Sequence, residues 1–174
     1  MRPGERRGAF FQSCARHYGL VGRGRGSVAV HMARNRIVIE APRDRVFGVL
    51  SDPSSYGYWV VGSREVRAAD SNWPAKGSKF HHTVGLGPLT IKDHTLVEEV
   101  DAPRSLVLRA RSRPLGAARV AIHLESERGR TRVTMDEHPV GGLPVRLLAK
   151  VTDPLLHARN TKALQRLKAL VEAD

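Results

Sequence analysis

Residues 37–59 read IVIEAPRDRVFGVLSDPSSYGYW, and the order of signals inside this stretch decides the fold. The run NRIVIE, residues 35–40, is β-branched and suits a half-buried pleated strand. Ala41-Pro42 ends it, because proline has no N–H to give a sheet and sits well at the first turn of a helix. Val46, Phe47, Val49 and Leu50 then lay an apolar stripe across PRDRVFGVLSD. Asp52-Pro53 stops that helix and starts a second short one over Ser54 to Val60, which carries Tyr56 and Trp59. One strand followed at once by two short helices is therefore expected.

After Gly62 the pattern changes to short strand-like runs at approximately 63–69, 78–85, 89–99, 104–113, 118–127 and 131–138. Trp73-Pro74 with Gly77, Gly87-Pro88, Ala102-Pro103, Pro114 with Gly116, and Gly129 separate them. Runs joined by such short turns favour an antiparallel meander over βαβ units, which need long crossovers. With the first strand they make seven. Beyond Pro139 and Gly141-Gly142 the chain reads as helix, and Asp153-Pro154 forms a cap and first-turn pair partway along, so two helical pieces or one kinked helix are expected. From Leu156 onward, Asn160, Ala163, Leu164, Leu167, Leu170 and Val171 share one face, while Lys162, Arg166 and Lys168 face away. This last helix is expected to pack on the sheet, giving an α+β fold.

The 174 residues are 41% apolar and 26% charged, enough to bury one core. No apolar run approaches the roughly 18 to 20 residues that span a bilayer, since His31 and Arg146 interrupt the stretches around Val30 and Leu147. The lone cysteine, Cys14, can form no intramolecular disulfide and has no cysteine companions for zinc, which points to a reducing, cytoplasmic setting. The net charge of +12 is uneven: residues 1–36 hold eight arginines against Glu5, and the rest carries only +5.

The first 31 residues, MRPGERRGAFFQSCARHYGLVGRGRGSVAVH, sustain neither period two nor period 3.6. They read as part of a disordered Arg/Gly-rich extension over 1–34, preceding one folded domain over 35–174; translation from Met32 would also fit. Arg6-Arg7 before Phe10-Phe11 has the form of a twin-arginine export signal, but Arg16, His17, Arg23 and Arg25 leave no apolar core for it. The GRGRG stretch, Gly22 to Gly26, has no interleaved aromatics on which bases would stack, so nucleic acid is not expected as a partner.

The order β, α, α, six β, α resembles the helix-grip superfamily (SRPBCC or START-like, and Bet v 1-like), which includes polyketide cyclases, lipid-transfer START domains and plant pathogenesis-related allergens. The segment Ile37 to Trp59 is similar to the entry signature of bacterial polyketide cyclase/dehydrase-like proteins. GSKFHHTVGLG (Gly77 to Gly87), Glu137-His138-Pro139 and Arg159-Asn160 add to the likeness, which spans about residues 35–172. The resemblance implies a curved seven-stranded antiparallel sheet wrapped around the long C-terminal helix, with a pocket between them for a hydrophobic small molecule. It implies little about chemistry, since one fold hosts enzymes, carriers and sensors.

Period-two alternation assigns an inward face to Phe80, His82 and Val84; Ile91, Asp93, Thr95 and Val97; Leu106, Leu108 and Ala110; Val120, Ile122 and Leu124; and Val133, Met135 and Glu137. His82, Asp93 and Glu137 are the polar exceptions, and Arg159 with Asn160 would add polar groups from the helix. Buried charge demands partners or a wet cavity. In a catalytic version, His82 is a base oriented by Asp93 or Glu137 beside a pocket roofed by Tyr56, Trp59 and Trp73, with Arg159 or Tyr56 holding an oxygen. In a structural version, Arg159 and Glu137 form a satisfied interior ion pair and His82 is a core histidine. Tyr56, Trp59, Trp73, Phe80, His82, Leu108, Met135, Arg159 and Asn160 are the expected ligand-binding residues, and the aromatics among them serve equally as core.

His81, His94, His123 and His138 suggest a test for metal, but alternation turns His81 away from His82 and sets His94, His123 and His138 outward with Arg109, Arg111 and Arg119. No ligand spacing such as His-x-x-x-His on a helix occurs, so no metal is expected. Gly85-Leu86-Gly87-Pro88 is a turn between strands that opens no helix, which removes a nucleotide loop; no cofactor is expected. Three functions remain open: a carrier or sensor for a lipid-like, aromatic or polyketide-like molecule, a cyclase or dehydratase using the same pocket, and a protein-interaction module without ligand.

Overall fold

A computed structural model of the chain describes residues 33–86, 89–112, 116–140 and 143–173; at 86, 89, 112, 116 and 143–153 it describes the backbone alone. Strand β1 is Ala33–Ile39, helix α1 Arg43–Leu50, and a 3-10 turn at Pro53–Ser55 leads into the single-turn helix α2, Tyr56–Trp59. Strands β2 (Ser63–Ala69), β3 (Lys79–Leu86), β4 (Leu89–Asp101), β5 (Ser105–Ser112), β6 (Gly116–Glu127) and β7 (Arg130–Val140) precede helix α3, Leu143–Ala173. The sheet begins at Ala33, two residues before the expected domain start; the disorder expected of residues 1–32 falls outside the described residues.

The seven strands form one antiparallel sheet in the order β1-β7-β6-β5-β4-β3-β2, so each neighbour from β2 to β7 is joined by a local turn and β1 alone closes from a distance. The two-residue turn Arg128-Gly129 between β6 and β7 has positive φ at both residues (49° and 86°), the mirror-image turn that follows the twist of a hairpin. At the other end of the chain order, Asp52 Oδ1 accepts the Ser54 amide at 2.9 Å and fixes the start of the 3-10 turn.

Strand β7, expected over about 131–138, continues through Pro139 to Val140, with Pro139 opposite Ala118. Helix α3 is a single element of 31 residues with Pro154 inside it. Proline forfeits one backbone hydrogen bond there, while the residues after it are held by the core; Asn160, Ala163, Leu164, Leu167 and Val171 are all at most 5% exposed. Ala163, Leu164, Leu167 and Val171 meet Ile39, Val46, Leu50, Leu106, Ile122 and Val133 in one cluster, the larger aliphatic side chains each contributing about 1.5 to 3 kcal/mol on burial.

Lys168 does not face away as its helical position suggested. It is half-buried, donates from Nζ to the Val38 carbonyl at 2.8 Å and pairs with Glu172 at 3.3 Å. Glu172 in turn accepts the Glu40 amide at 2.6 Å. Long charged side chains bury their stems and keep the head on a polar partner, and here those partners are backbone groups of an edge strand. On the convex face, one row runs Glu99, Val107, Ala121, Asp136 and Arg34 across five strands. Val107 and Ala121 are buried in it, between charged residues held in ion pairs with Arg119 and with each other.

Candidate functional site

The polar residues expected on the concave face fall at two places, and the sheet keeps these apart. His82 lies on β3 directly opposite Asp93 of β4, and Glu137 lies on β7 opposite Val120. Strands β4, β5 and β6 separate β3 from β7, four strand spacings of about 4.8 Å, or roughly 19 Å along the sheet. Glu137 therefore does not orient His82, and that half of the expected acid/base pair is corrected; Asp93 remains beside it.

Glu137 is instead saturated from α3. Arg159 Nη2 donates to both its oxygens at 2.7 and 2.5 Å, and Asn160 Nδ2 donates at 2.7 Å. Arg159 also reaches Asn160 Oδ1 at 3.2 Å. A bidentate, charge-assisted contact of this kind satisfies a buried carboxylate, and it commits Arg159 and Asn160 to Glu137. The Arg159 side chain is 44% exposed while that of Glu137 is 5% exposed, so the pair sits at the rim of the core.

The other pole is less complete. His82 Nε2 lies 3.3 Å from Thr95 Oγ1, but its Nδ1 is buried with no hydrogen-bond partner among the described residues. Burial pushes the His82 pKa below its ordinary value of 6.5; Asp93 opposes that push, and Arg67, His94 and His81 add to it. Asp93 has a wholly buried side chain whose Oδ1 accepts the His94 amide at 2.9 Å. Among the described residues Trp73 Nε1 and Ser63 Oγ are buried without partners as well. Ser63 stands opposite Val84, so three of the five such atoms belong to β2, β3 and the loop between them; the other two are Asn35 Oδ1 and Arg43 Nε. Buried polar atoms are nearly always paired, and a cluster of exceptions marks this wall.

An aromatic network leads up to it. Ring centroids of Tyr56 and Phe80 are 4.7 Å apart, of Trp73 and Phe80 4.9 Å, of Tyr56 and Trp59 5.0 Å, and of Phe80 and His82 5.2 Å. Tyr56 donates its hydroxyl to the Leu50 carbonyl at 2.9 Å, and burial drives its pKa far above the ordinary phenol value. It is thereby engaged and does not hold a substrate oxygen. Trp59 Nε1 is likewise engaged by Ser55 Oγ at 3.3 Å. Leu108 and Met135 are core residues under 5% exposed. Of the expected inward set, Ile91 departs: it is 38% exposed, and its partner Val84 is only half-buried, so the concave face opens next to the His82 and Asp93 pair.

On the convex face His81 and His94 pair at 5.9 Å between centroids, as alternation required, and Arg109 and Arg119 grip Glu98 at 2.5 and 2.7 Å. Sequence reasoning missed Trp73 Nε1 and Ser63 Oγ as unpaired atoms, since pairing is a property of neighbours. It also missed Asn35, a polar residue at an inward β1 position, whose Nδ2 donates to the His157 carbonyl at 3.0 Å and to Thr161 Oγ1 at 2.8 Å. The alternation Ala33, Asn35, Ile37, Ile39 carried that signal.

A curved antiparallel sheet gripping a long C-terminal helix over an apolar, aromatic inner wall is the helix-grip architecture, as expected. The chain belongs to the family described as polyketide cyclase / dehydrase and lipid transport, whose family model matches residues 30–172. Among solved structures it is similar to protein CV1439 from Chromobacterium violaceum, at 16% identity and a TM-score of 0.64 over 83% of this chain and 99% of that one. TTHA0849 from Thermus thermophilus gives 16% and 0.63 over 82% and 98%, and Ara h 8.0201 gives 12% and 0.59 over 83% and 99%. At such identities the likeness establishes the fold. No curated protein matches the chain.

Proposed function

We propose that the protein is a carrier or sensor that holds a hydrophobic small molecule, lipid-like, aromatic or polyketide-like, against the concave face at its β2–β3–β4 end. The observation behind this is the pairing of an exposed inward Ile91 with the orphaned His82 Nδ1 on the same strand pair. An open apolar surface with a few unpaired polar groups is the ordinary composition of a small-molecule site, and family membership agrees with it. Phe80, Trp73 and His82 are the lining residues, with Tyr56, Trp59, Leu108 and Met135 as the packed layer behind them. The working location is the cytoplasm, and residues 1–32, ahead of β1, are an appendage to the ligand-binding domain; among the described residues no helix is long and apolar enough to cross a membrane.

A catalytic use of the same wall is favoured by one arrangement, His82 neutral near pH 7 and opposite Asp93. Proton transfer by a histidine so placed is the step a cyclase or dehydratase needs. Binding and turnover are separable. Titration with the neutral fluorophore N-phenyl-1-naphthylamine, read by its own emission and by Trp59 and Trp73, should saturate and be displaced by apolar competitors. Saturation lost in Trp73→Ala but kept in His82→Ala, with no product from any bound molecule, defines a carrier. Turnover lost in His82→Ala with binding intact defines an enzyme. No saturable binding at all leaves the interaction module and overturns the proposal.

A further inference from the structure

The sheet has two edges, β1 and β2, and an open edge invites another strand to pair with it. Strand β2 is protected by two register shifts, between Ser63 and Glu65 and between Val66 and Ala68; bulges of this kind twist an edge away from pairing. Among the described residues strand β1 is capped only at its C-terminal end and in the residue just beyond it. Lys168 takes the Val38 carbonyl and Glu172 takes the Glu40 amide. In an antiparallel pair, alternate residues turn their N–H and C=O to the neighbour and the others turn theirs away. Since Val38 and Glu40 present theirs to α3, the backbone groups of Arg36 and Arg34 face the same free side.

No cap covers that part among the described residues. It borders instead a groove of about 350 Å³ lined by Arg34, Asn35 and Arg36 on one side and by His157 and Thr161 of α3 on the other. Asn35 donates to the His157 carbonyl and to Thr161 Oγ1 and so ties strand to helix at the floor of the groove. Arg34 is neutralised by Asp136 at 2.6 Å, whereas Arg36 has no carboxylate partner among the described residues.

We propose that the Arg34–Arg36 edge of β1 is a docking site for an extended acidic peptide of a partner protein, which adds as an eighth strand and places a carboxylate on Arg36. Main-chain hydrogen bonds would supply the pairing and the charge its selectivity, as in other strand-addition interfaces. Charge decides among the possible occupants. A second copy of this chain would bring Arg34 and Arg36 against themselves, and like charges opposite one another destabilise a strand pair. The N-terminal segment of the same chain carries Arg2, Arg6, Arg7, Arg16, Arg23 and Arg25 against Glu5 alone, so it repels the site as well.

The test uses the full chain and a labelled Glu-Thr octapeptide repeat, with a Lys-Thr repeat and an alternately N-methylated Glu-Thr repeat as controls. Hydrogen exchange reports the Arg34 and Arg36 amides, and fluorescence anisotropy reports binding. The expected result is fast exchange of both amides in the free protein, slowed at least tenfold by the acidic repeat and by neither control. Arg36→Glu should weaken binding at least tenfold. Arg36→Pro, which an edge strand accommodates where its N–H faces outward, should abolish it with an unchanged melting temperature. If Arg36→Pro unfolds the protein, Arg36→Glu and the N-methylated control carry the test. Amides already protected in the dilute free chain would give the site to the N-terminal segment, and protection that grows with protein concentration would give it to a second copy. Binding that ignores N-methylation would be bulk charge attraction. Each of these, or no binding, overturns the proposal.

Discussion

Asn160 is the most informative single position in the core, because it is 2% exposed and makes three hydrogen bonds to two polar side chains. It donates to Glu137 Oε2 at 2.7 Å and accepts from Arg159 at 3.2 and 3.3 Å. Asn160→Ala removes all three contacts. A hydrogen bond to a charged group contributes about 1.5 to 3 kcal/mol, and the longer contacts to the half-exposed Arg159 add little once solvent screening is allowed for. A loss of about 2 to 3 kcal/mol is expected, equivalent to a fall of roughly 4 to 12 °C in melting temperature for a protein of this size. Urea unfolding followed by far-UV circular dichroism measures it, with the slope held constant as the check on two-state behaviour. Asn160→Leu keeps the volume and separates the polar loss from a cavity.

Asn160→Asp sharpens the test by adding a carboxylate beside Glu137. Two such groups cannot both ionise cheaply, so the introduced acid has a raised pKa in the folded state. Its stability relative to wild type should be best at low pH and decline as pH rises through that raised value. An Asn160→Ala change within 0.5 kcal/mol of wild type, or an Asn160→Asp difference that does not vary with pH, would refute the assignment of Glu137 to this network.

Two further outcomes follow from the other pole. Burial holds the His82 pKa below 6.5, so the unfolded chain binds the extra proton first and stability falls as pH drops below about 6.5, continuing to the folded value. His94 and His138 shift the same way, so His82→Gln should reduce that slope in chemical denaturation between pH 7 and 5 without removing it; an unchanged slope contradicts the burial of His82. Phe80→Ala takes out a ring that is 2% exposed and contacts Tyr56, Trp73 and His82; it should cost about 3 to 5 kcal/mol and alter tryptophan emission, and a cost below 1 kcal/mol would mean that the aromatic wall is loosely packed.

Much of this molecule was legible locally. Pro42, Pro53 and the turn residues between strands punctuate the chain, and period two then separates His82 from His81 without any knowledge of the fold. Where local signals compete, they leave the answer open: Pro139 reads as a separator after β7 but lies within it, and Asp153-Pro154 allows two helical pieces or one where the structure has one. Around Pro139 the flanking residues are held by pairing with β6, which propensity does not count. Lys168 was misplaced for the same reason, since a polar residue on a helix faces water only if no backbone carbonyl such as that of Val38 lies within its reach.

The sequence by itself determined the order of the elements, the inward parity of His82, Asp93 and Glu137, and the concentration of positive charge before residue 37, because each depends only on neighbours along the chain. Tertiary structure decided which of those inward groups meet. Strand order puts three strands between His82 and Glu137, and α3 brings Arg159 and Asn160 to Glu137 across 22 and 23 residues of chain. Among the described residues it leaves His82 Nδ1 and Trp73 Nε1 unpaired. Alternation fixes the direction in which a side chain points; the distance to another side chain depends on how the strands are ordered, and that is settled by burying one core.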